Sequence, residues 1–256
     1  MHTVFKAVAV AALLAGTLSA QEMTPTERMR EKGWEFEIRT GVNIGGIAPT
    51  PMPAEIREIK EYNPKLNGIL ELTVSKWFQP HHGWGFVTGL RLEQKGMETT
   101  ARVKNYHMGI TQQGVQTEGN WTGMVRTSYY ASSVVVPALI GYNFHDRGKV
   151  TFGLFAAYNM DGDFSGDVFD GYFRKGSPVG EKIVFGTQDK TPYSFNDALT
   201  PYEIGLQAGG SLRVYENFLL FADLKYGFNN VFKKDFKALT FGMRPIYLSL
   251  GFSHLF

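Results

Sequence analysis

The residues best suited to chemistry in this chain are charged side chains spaced two apart. Glu35, Glu37 and Arg39 alternate with Phe36 and Ile38, and Arg91, Glu93 and Lys95 alternate with Leu92 and Gln94. Asp223 and Lys225 flank Leu224, while Glu71, Glu203 and Arg213 hold the same parity within their own segments. Residues two apart share one face of a strand. If the strands close into a ring, these six acids and five bases meet across its interior. Buried there they must pair, because an isolated charge in a low-dielectric interior is very costly. Two readings stay open: a network that plugs the interior and holds its shape, or a narrow polar conduit. Eight strands leave an interior just wide enough for side chains, which favours the plug.

Other constellations are weaker. Asp161-Gly162-Asp163-Phe164-Ser165-Gly166-Asp167 opens like a calcium loop. Its twelfth position is Tyr172 rather than a bidentate Glu, so a solvated Asp/Gly turn cluster is the favoured reading and no metal is expected. His81, His82, His107, His145 and His254 are scattered, and no linear motif pairs any of them with a nucleophile or a carboxylate. The expectation is a chain without catalytic residues, metal or cofactor. A triad assembled in space is outside what linear spacing reveals, so a lipid-modifying enzyme stays open as a lesser alternative.

The elements that position the charges are strands. Trp34 to Ile44 alternates apolar and polar, and so do Asn67 to Phe78, Trp84 to Lys95, Tyr129 to Phe144 and Lys149 to Met160. Tyr202 to Val214, Phe218 to Phe228 and Arg244 to Phe256 complete a set of eight. Pro137 interrupts the fourth and unsettles its register, since proline donates nothing to a ladder. Lys76 breaks the apolar face of the second, and His254 that of the last. The connections alternate strictly. Gln79–Gly83, His145–Gly148 and Tyr215–Asn217 are tight turns. Gly45–Leu66, Gly96–Ser128, Asp161–Pro201 and Asn229–Gly242 are long loops, with a short helix expected at Ala54–Glu61. Parts of the second loop, Thr100–Tyr106 and Gly123–Ser128, could extend strands beyond a bilayer.

Composition bounds the class. The chain has 256 residues, 14% aromatic, with 29 Gly and no Cys, which excludes a disulfide scaffold and a thiolate metal site. Lys+Arg 26 against Asp+Glu 24 gives no reason to expect a nucleic-acid partner. Residues 1–20, with Lys6 before the apolar Ala7–Leu14 and small residues up to Ala20, read as a signal peptide. Residues 21–33 read as a short periplasmic leader and 34–256 as the barrel.

Long loops all at one end, short turns at the other and an even strand count predict an all-β fold: an eight-stranded antiparallel up-and-down transmembrane barrel in a Gram-negative outer membrane. A soluble sandwich is the alternative fold. Trp34, Phe78, Trp84, Phe144, Phe152, Phe218 and Phe256 fall at the periplasmic strand ends, with Tyr158, Tyr202 and Phe228 at the outer ends. These are the positions of interfacial girdles. The loop aromatics Trp121, Phe164, Phe169, Tyr172, Phe173, Phe185, Tyr193, Phe195, Phe232 and Phe236 either offer a binding surface or bury one another in a cap, and the cap is favoured.

Gly89–Met97 (G-L-R-L-E-Q-K-G-M), Val134–Phe144 (V-V-V-P-A-L-I-G-Y-N-F) and the closing G-F-S-H-L-F resemble PorT-like outer-membrane β-barrel proteins of Bacteroidota. The resemblance spans residues 34–256 and implies an integral outer-membrane barrel, with a link to protein secretion through the member that names the family. The expected partners are outer-membrane lipid, the assembly machinery reading Phe256 as a terminal aromatic signal, and a protein or glycan ligand at the loops. The expected role is non-enzymatic: binding, or support of an envelope or secretion assembly. A narrow small-solute pore is the alternative.

Overall fold

A computed structural model describes residues 25–80, 82–112, 115–145, 147–236, 239 and 241–256. The expected signal peptide at 1–20, the first part of the leader and His81 lie outside these. The rest of the leader forms the short helix α1 (Pro25–Glu31). Eight long antiparallel strands then form a ring: β1 (Trp34–Pro49), β3 (Asn67–Trp77), β4 (Gly83–Gln112), β5 (Val115–Asn143), β6 (Gly148–Lys175), β9 (Tyr202–Tyr215), β10 (Phe218–Gly227) and β11 (Met243–Leu255). Each pairs with the next ring strand in sequence, and β1 pairs with β11 from Glu37↔Leu255 to Pro49↔Met243, which closes the barrel. Closure removes the free edges that an open sheet of this size would expose. Three further strands lie outside the ring: β2 (Ile56–Pro64) on β4, and β7 (Lys182–Phe185) and β8 (Thr191–Ser194) on β6.

The alternation read from the sequence sets the two faces. Leu72, Phe86, Leu90, Ile140, Phe152 and Leu224 are exposed around the outside, while Glu37, Glu71, Arg91, Glu93 and Asp223 are buried within. A continuous apolar exterior with a charged interior inverts a soluble protein and matches a lipid-facing barrel. At the short-turn end, aromatic rings meet edge to face: Trp84 on Tyr142, Tyr142 on Phe144, Phe78 on Phe86. His254 sits between Phe218 and Phe256, with centroids 5.0 and 4.9 Å away, and joins this belt. Lys76 also reaches this rim, where it donates to the Lys32 carbonyl and lies 5.2 Å from the centre of the Trp34 ring. Both departures from the apolar face therefore sit at the interface, where a polar tip costs least.

Pro137 is accommodated locally. The β4–β5 ladder passes from Thr88↔Ala138 to Arg91↔Val135, so the pairing on that side skips the proline, and Thr88 Oγ1 donates to the Pro137 carbonyl at 2.8 Å.

The long connections differ from expectation. Ala54–Glu61 is not helical, because from Ile56 onward it belongs to β2, where Ile56 and Ile59 pair along β4. Gly96–Ser128 is no loop: β4 and β5 run as one paired ribbon from Gly83↔Asn143 to Gln112↔Val115, which includes the strand extensions expected at Thr100–Tyr106 and Gly123–Ser128. The β6 strand continues to Lys175, so Asp161–Asp167 is neither a calcium loop nor a turn cluster. Spanning a bilayer takes ~9–11 strand residues, whereas β4, β5 and β6 have 30, 29 and 28. The excess length builds the outer end of the molecule.

Candidate functional site in the lumen and the outer cap

The inward charges form one continuous chain of ion pairs along the barrel axis. Nearest the short turns, Lys149 Nζ lies 2.5 Å from Glu37 Oε2 and also binds Glu35. Glu37 passes to Arg39 Nε at 3.4 Å. Arg39 reaches Glu71 at 3.1 Å and Asp223 at 3.0 Å, and its guanidinium stacks 4.0 Å from the centre of the Phe221 ring. Arg91 holds the same two carboxylates from above, at 2.7 Å to Glu71 and 2.6 Å to Asp223. Glu93 then binds Lys225 and lies 3.2 Å from Lys95, whose Nζ is 2.6 Å from Glu203. The strands β1, β3, β4, β6, β9 and β10 all supply members of the chain. The pairing is therefore a property of closure and not of any one hairpin.

Glycine shapes the crowded centre. A Cβ at Gly209 would collide with Asp223 Oδ1, so only glycine lets that carboxylate occupy its place between the two arginines. Beside Glu37, Arg39 and Glu71 a void of about 10 Å³ remains, at the lower limit for one water.

All the charges expected inside belong to this chain of pairs except Arg213. That residue is half-buried near the short turns and makes no ion pair among the described residues. Its expected place is taken by Lys149, which lies deeper and has Glu35 and Glu37 within reach. The inward parity of Lys149 was the available signal for it. Its position at the very start of β6, one residue after the turn, hid it.

Above the charges, the outer ends of β4, β5 and β6 enclose a second, apolar core. Trp121, Phe173 and Val168 have no measurable exposure. Phe164 packs edge-on against Phe232 at 4.9 Å, and Phe195 and Phe232 both meet Phe236, at 5.0 and 4.5 Å. Phe185 of β7 lies 5.4 Å from Trp121, while β8 brings Tyr193 against Phe164. The Tyr193 hydroxyl donates to the Arg126 carbonyl at 2.9 Å and lies 2.7 Å from Thr127 Oγ1. Burial raises the Tyr193 and Tyr106 phenols well above the ordinary tyrosine range. Phe169 and Tyr172 are half-buried on the opposite face of β6. The aromatic residues of the long connections are therefore largely packed against one another.

The remaining polar candidates do not form a reactive centre. Asp163 accepts from Asn196 Nδ2 and from Ser165 Oγ, both at 2.7 Å, and Asp161 accepts from the Gly162 amide. His82 stacks on His145 with centroids 4.9 Å apart at the short turns, far along the chain from His107 on β4. Among the described residues no three His, Cys, Asp or Glu side chains are grouped so as to hold a metal ion.

Residues 19–233 match the family model described as outer membrane protein beta-barrel domain. The chain belongs to that family. It is an outer-membrane protein, and the exposed apolar band of its barrel faces lipid. No helix among the described residues is long and apolar enough to cross a membrane. Among solved structures, the chain is similar to Ail, the attachment invasion locus protein of Yersinia pestis, in complex with the heparin analogue sucrose octasulfate. That match has 12% identity, 87% of this chain and 97% of that one covered, and a TM-score of 0.37. It is also similar to OprG from Pseudomonas aeruginosa, at 12% identity, 88% and 97% coverage and a TM-score of 0.33. A third is neisserial surface protein A, at 12% identity, 87% and 96% coverage and a TM-score of 0.31. No curated protein matches the chain.

Proposed function

We propose that this outer-membrane barrel is a non-enzymatic binding or scaffold protein whose lumen is sealed by paired charges and whose outer cap presents the working surface. The observation that carries this reading is the unbroken chain of ion pairs from Lys149 to Glu203, with a void of only about 10 Å³ beside it. A conduit needs water-filled width, and an eight-strand barrel filled by side chains leaves little. The outer cap has a packed core of its own, so its outward face is held in a defined shape. A defined surface suits recognition of a protein or a glycan, or support of an envelope or secretion assembly. The PorT-like segments Gly89–Met97 and Val134–Phe144 support a place among the PorT-like proteins of Bacteroidota. Residues 1–20 are removed on export in this reading, and Phe256 at the rim is read by the assembly machinery.

Conductance across a planar bilayer tests the sealed lumen. The purified barrel is expected to insert silently. Steady single-channel steps with the native chain would overturn the reading in favour of a small-solute pore.

A further inference from the structure

The outer ends of β4, β5 and β6, with β7, form one sheet whose inner face covers the cap core. Its outer face is read from the ladder, because directly paired residues share a face. Arg102 pairs with Met124 and Met124 with Phe169, while Thr122 pairs with Tyr172 and Asn120 with Arg174. Arg174 pairs in turn with Lys182. Arg126 pairs with Thr100 and with Asp167 nearer the membrane. The alternate residues Trp121, Val125, Val168 and Phe173 are the buried ones. Arg102, Lys104, Arg126, Arg174 and Lys182 therefore outnumber the acids of this face, Glu98, Glu118 and Asp167. The ion pairs outside the lumen use Lys60, Lys65 and Arg126, so among the described residues Arg102, Lys104, Arg174 and Lys182 have no carboxylate partner.

Aromatic rings hold the cations of this face in place. Lys182 Nζ lies 4.4 Å and Arg174 Cζ 5.6 Å from the centre of the Tyr172 ring, and Arg126 Cζ lies 5.6 Å from that of Phe169. Arg174 Nη1 also donates to the Gly180 carbonyl at 3.1 Å. A hydrogen bond with Thr122, and then the nearby charges of Arg174, Lys182 and Lys104, hold the Tyr172 phenol below the ordinary tyrosine range. Lys104 of β4 thus stands with the cations of β6 and β7 around one ring. The height of the face follows from β6. Tyr158 meets Tyr202 at the outer girdle. From Tyr158 to Asp167 the strand climbs roughly 30 Å along its axis, or ~20 Å in height at the usual barrel tilt. That is well past a headgroup layer of ~5–7 Å, so lipid phosphates lie below these cations.

We infer that the outer face of this sheet binds an acidic polysaccharide, one that carries sulfate or phosphate groups at intervals along its chain. The bases are spread over four strands, about 14 Å across at ~4.8 Å per strand. One small anion cannot meet them together, whereas a repeating polyanion can. Cations already clipped to rings lose little side-chain freedom when an anion arrives. Those same contacts occupy the rings, which leaves no stacking platform of the kind single-stranded nucleic acids use. Asn105, exposed where its amide binds Thr122, adds a neutral polar group suited to sugar hydroxyls. This inference rests on the reading that the outer cap is the working surface, and it names the ligand.

Binding of the full-length barrel in phospholipid nanodiscs to immobilised dextran sulfate tests the site. Neutral dextran, single-stranded DNA and polyglutamate are the comparison probes. Dextran sulfate is expected to bind tightest. Release is expected between ~0.1 and ~1 M salt, where the reach of the charges falls from ~10 to ~3 Å. Lys104→Gln with Lys182→Gln should weaken binding roughly tenfold. Arg174→Gln serves if that double variant does not show the gel shift of a folded barrel. Lys32→Gln with Lys234→Gln makes the same charge change at exposed positions off this face and should bind as the native chain does. Equal binding of neutral dextran would overturn the inference, as would DNA or polyglutamate bound as tightly as dextran sulfate. So would folded variants of this face that bind no worse than the Lys32/Lys234 pair. A barrel that binds no dextran sulfate yet stays silent in planar bilayers loses this ligand and keeps its sealed lumen. One that binds it and conducts keeps the face and loses the seal.

Discussion

Arg91 shows what a single residue contributes here. Its guanidinium holds Glu71 and Asp223, two carboxylates it shares with Arg39, and it is wholly buried. Truncating one partner of a buried pair leaves the others uncompensated, which costs ~3–5 kcal/mol. Arg91→Ala is therefore expected to lower the urea midpoint of the barrel refolded in lipid vesicles, followed by its gel mobility. Arg213→Ala, which breaks no ion pair among the described residues, should stay within ~0.5 kcal/mol. Parity made most of this network legible in the sequence, since Glu35, Glu37, Arg39, Glu71, Arg91, Glu93, Lys95, Glu203, Asp223 and Lys225 all face inward as their spacing requires. The identity of each partner was not legible. Arg39 and Asp223 are 184 positions apart and meet only because the ring closes.

At the scale of elements, the eight ring strands were readable, and of their outer lengths only the extensions at Thr100–Tyr106 and Gly123–Ser128 were. Within the membrane, apolar and polar residues alternate cleanly because one face meets lipid. Beyond it, both faces of β4, β5 and β6 meet water or the cap, and residues such as Asp161, Gly162 and Asp163 resemble turn chemistry although they pair along β5. The Ala54–Glu61 stretch likewise carried no face-to-face contrast, and β2 remains exposed over most of its length. The β1–β3 ladder ends in a fork at Asn43↔Asn67, above which no ladder joins β1 to β2 among the described residues, and side chains there replace a missing strand partner. Asn67→Ala removes the donor to the Gly96 carbonyl, and a buried acceptor left without a partner costs ~1–3 kcal/mol. Amide hydrogen exchange should quicken over residues 94–103 of this variant and remain unchanged in β9 and β10. Equal acceleration throughout the barrel would show that the fork is not a local device.

For the whole molecule, closure decides what the rim does. The Phe256 amide donates to the Phe36 carbonyl at 3.0 Å, and its ring rests on His254, so the last residue adds both a ladder bond and a belt aromatic. Deleting Phe256 is expected to reduce the barrel found in the outer membrane several-fold, while the purified truncated chain still shifts on an unboiled gel. Normal surface levels of the truncated chain would refute the assembly role.

By itself, the sequence determined which residues face lipid and which face inward, how many strands cross, and which ends carry the aromatic girdles. A period of two is a local property of the backbone, and it survives in any packing of the strands. Tertiary structure alone decided that Lys149 joins the charge chain, that the cap is built from continued strands, and that the wall parts between β1 and β2. Each of these depends on strand tilt and stagger around the ring, which bring together residues far apart in the chain.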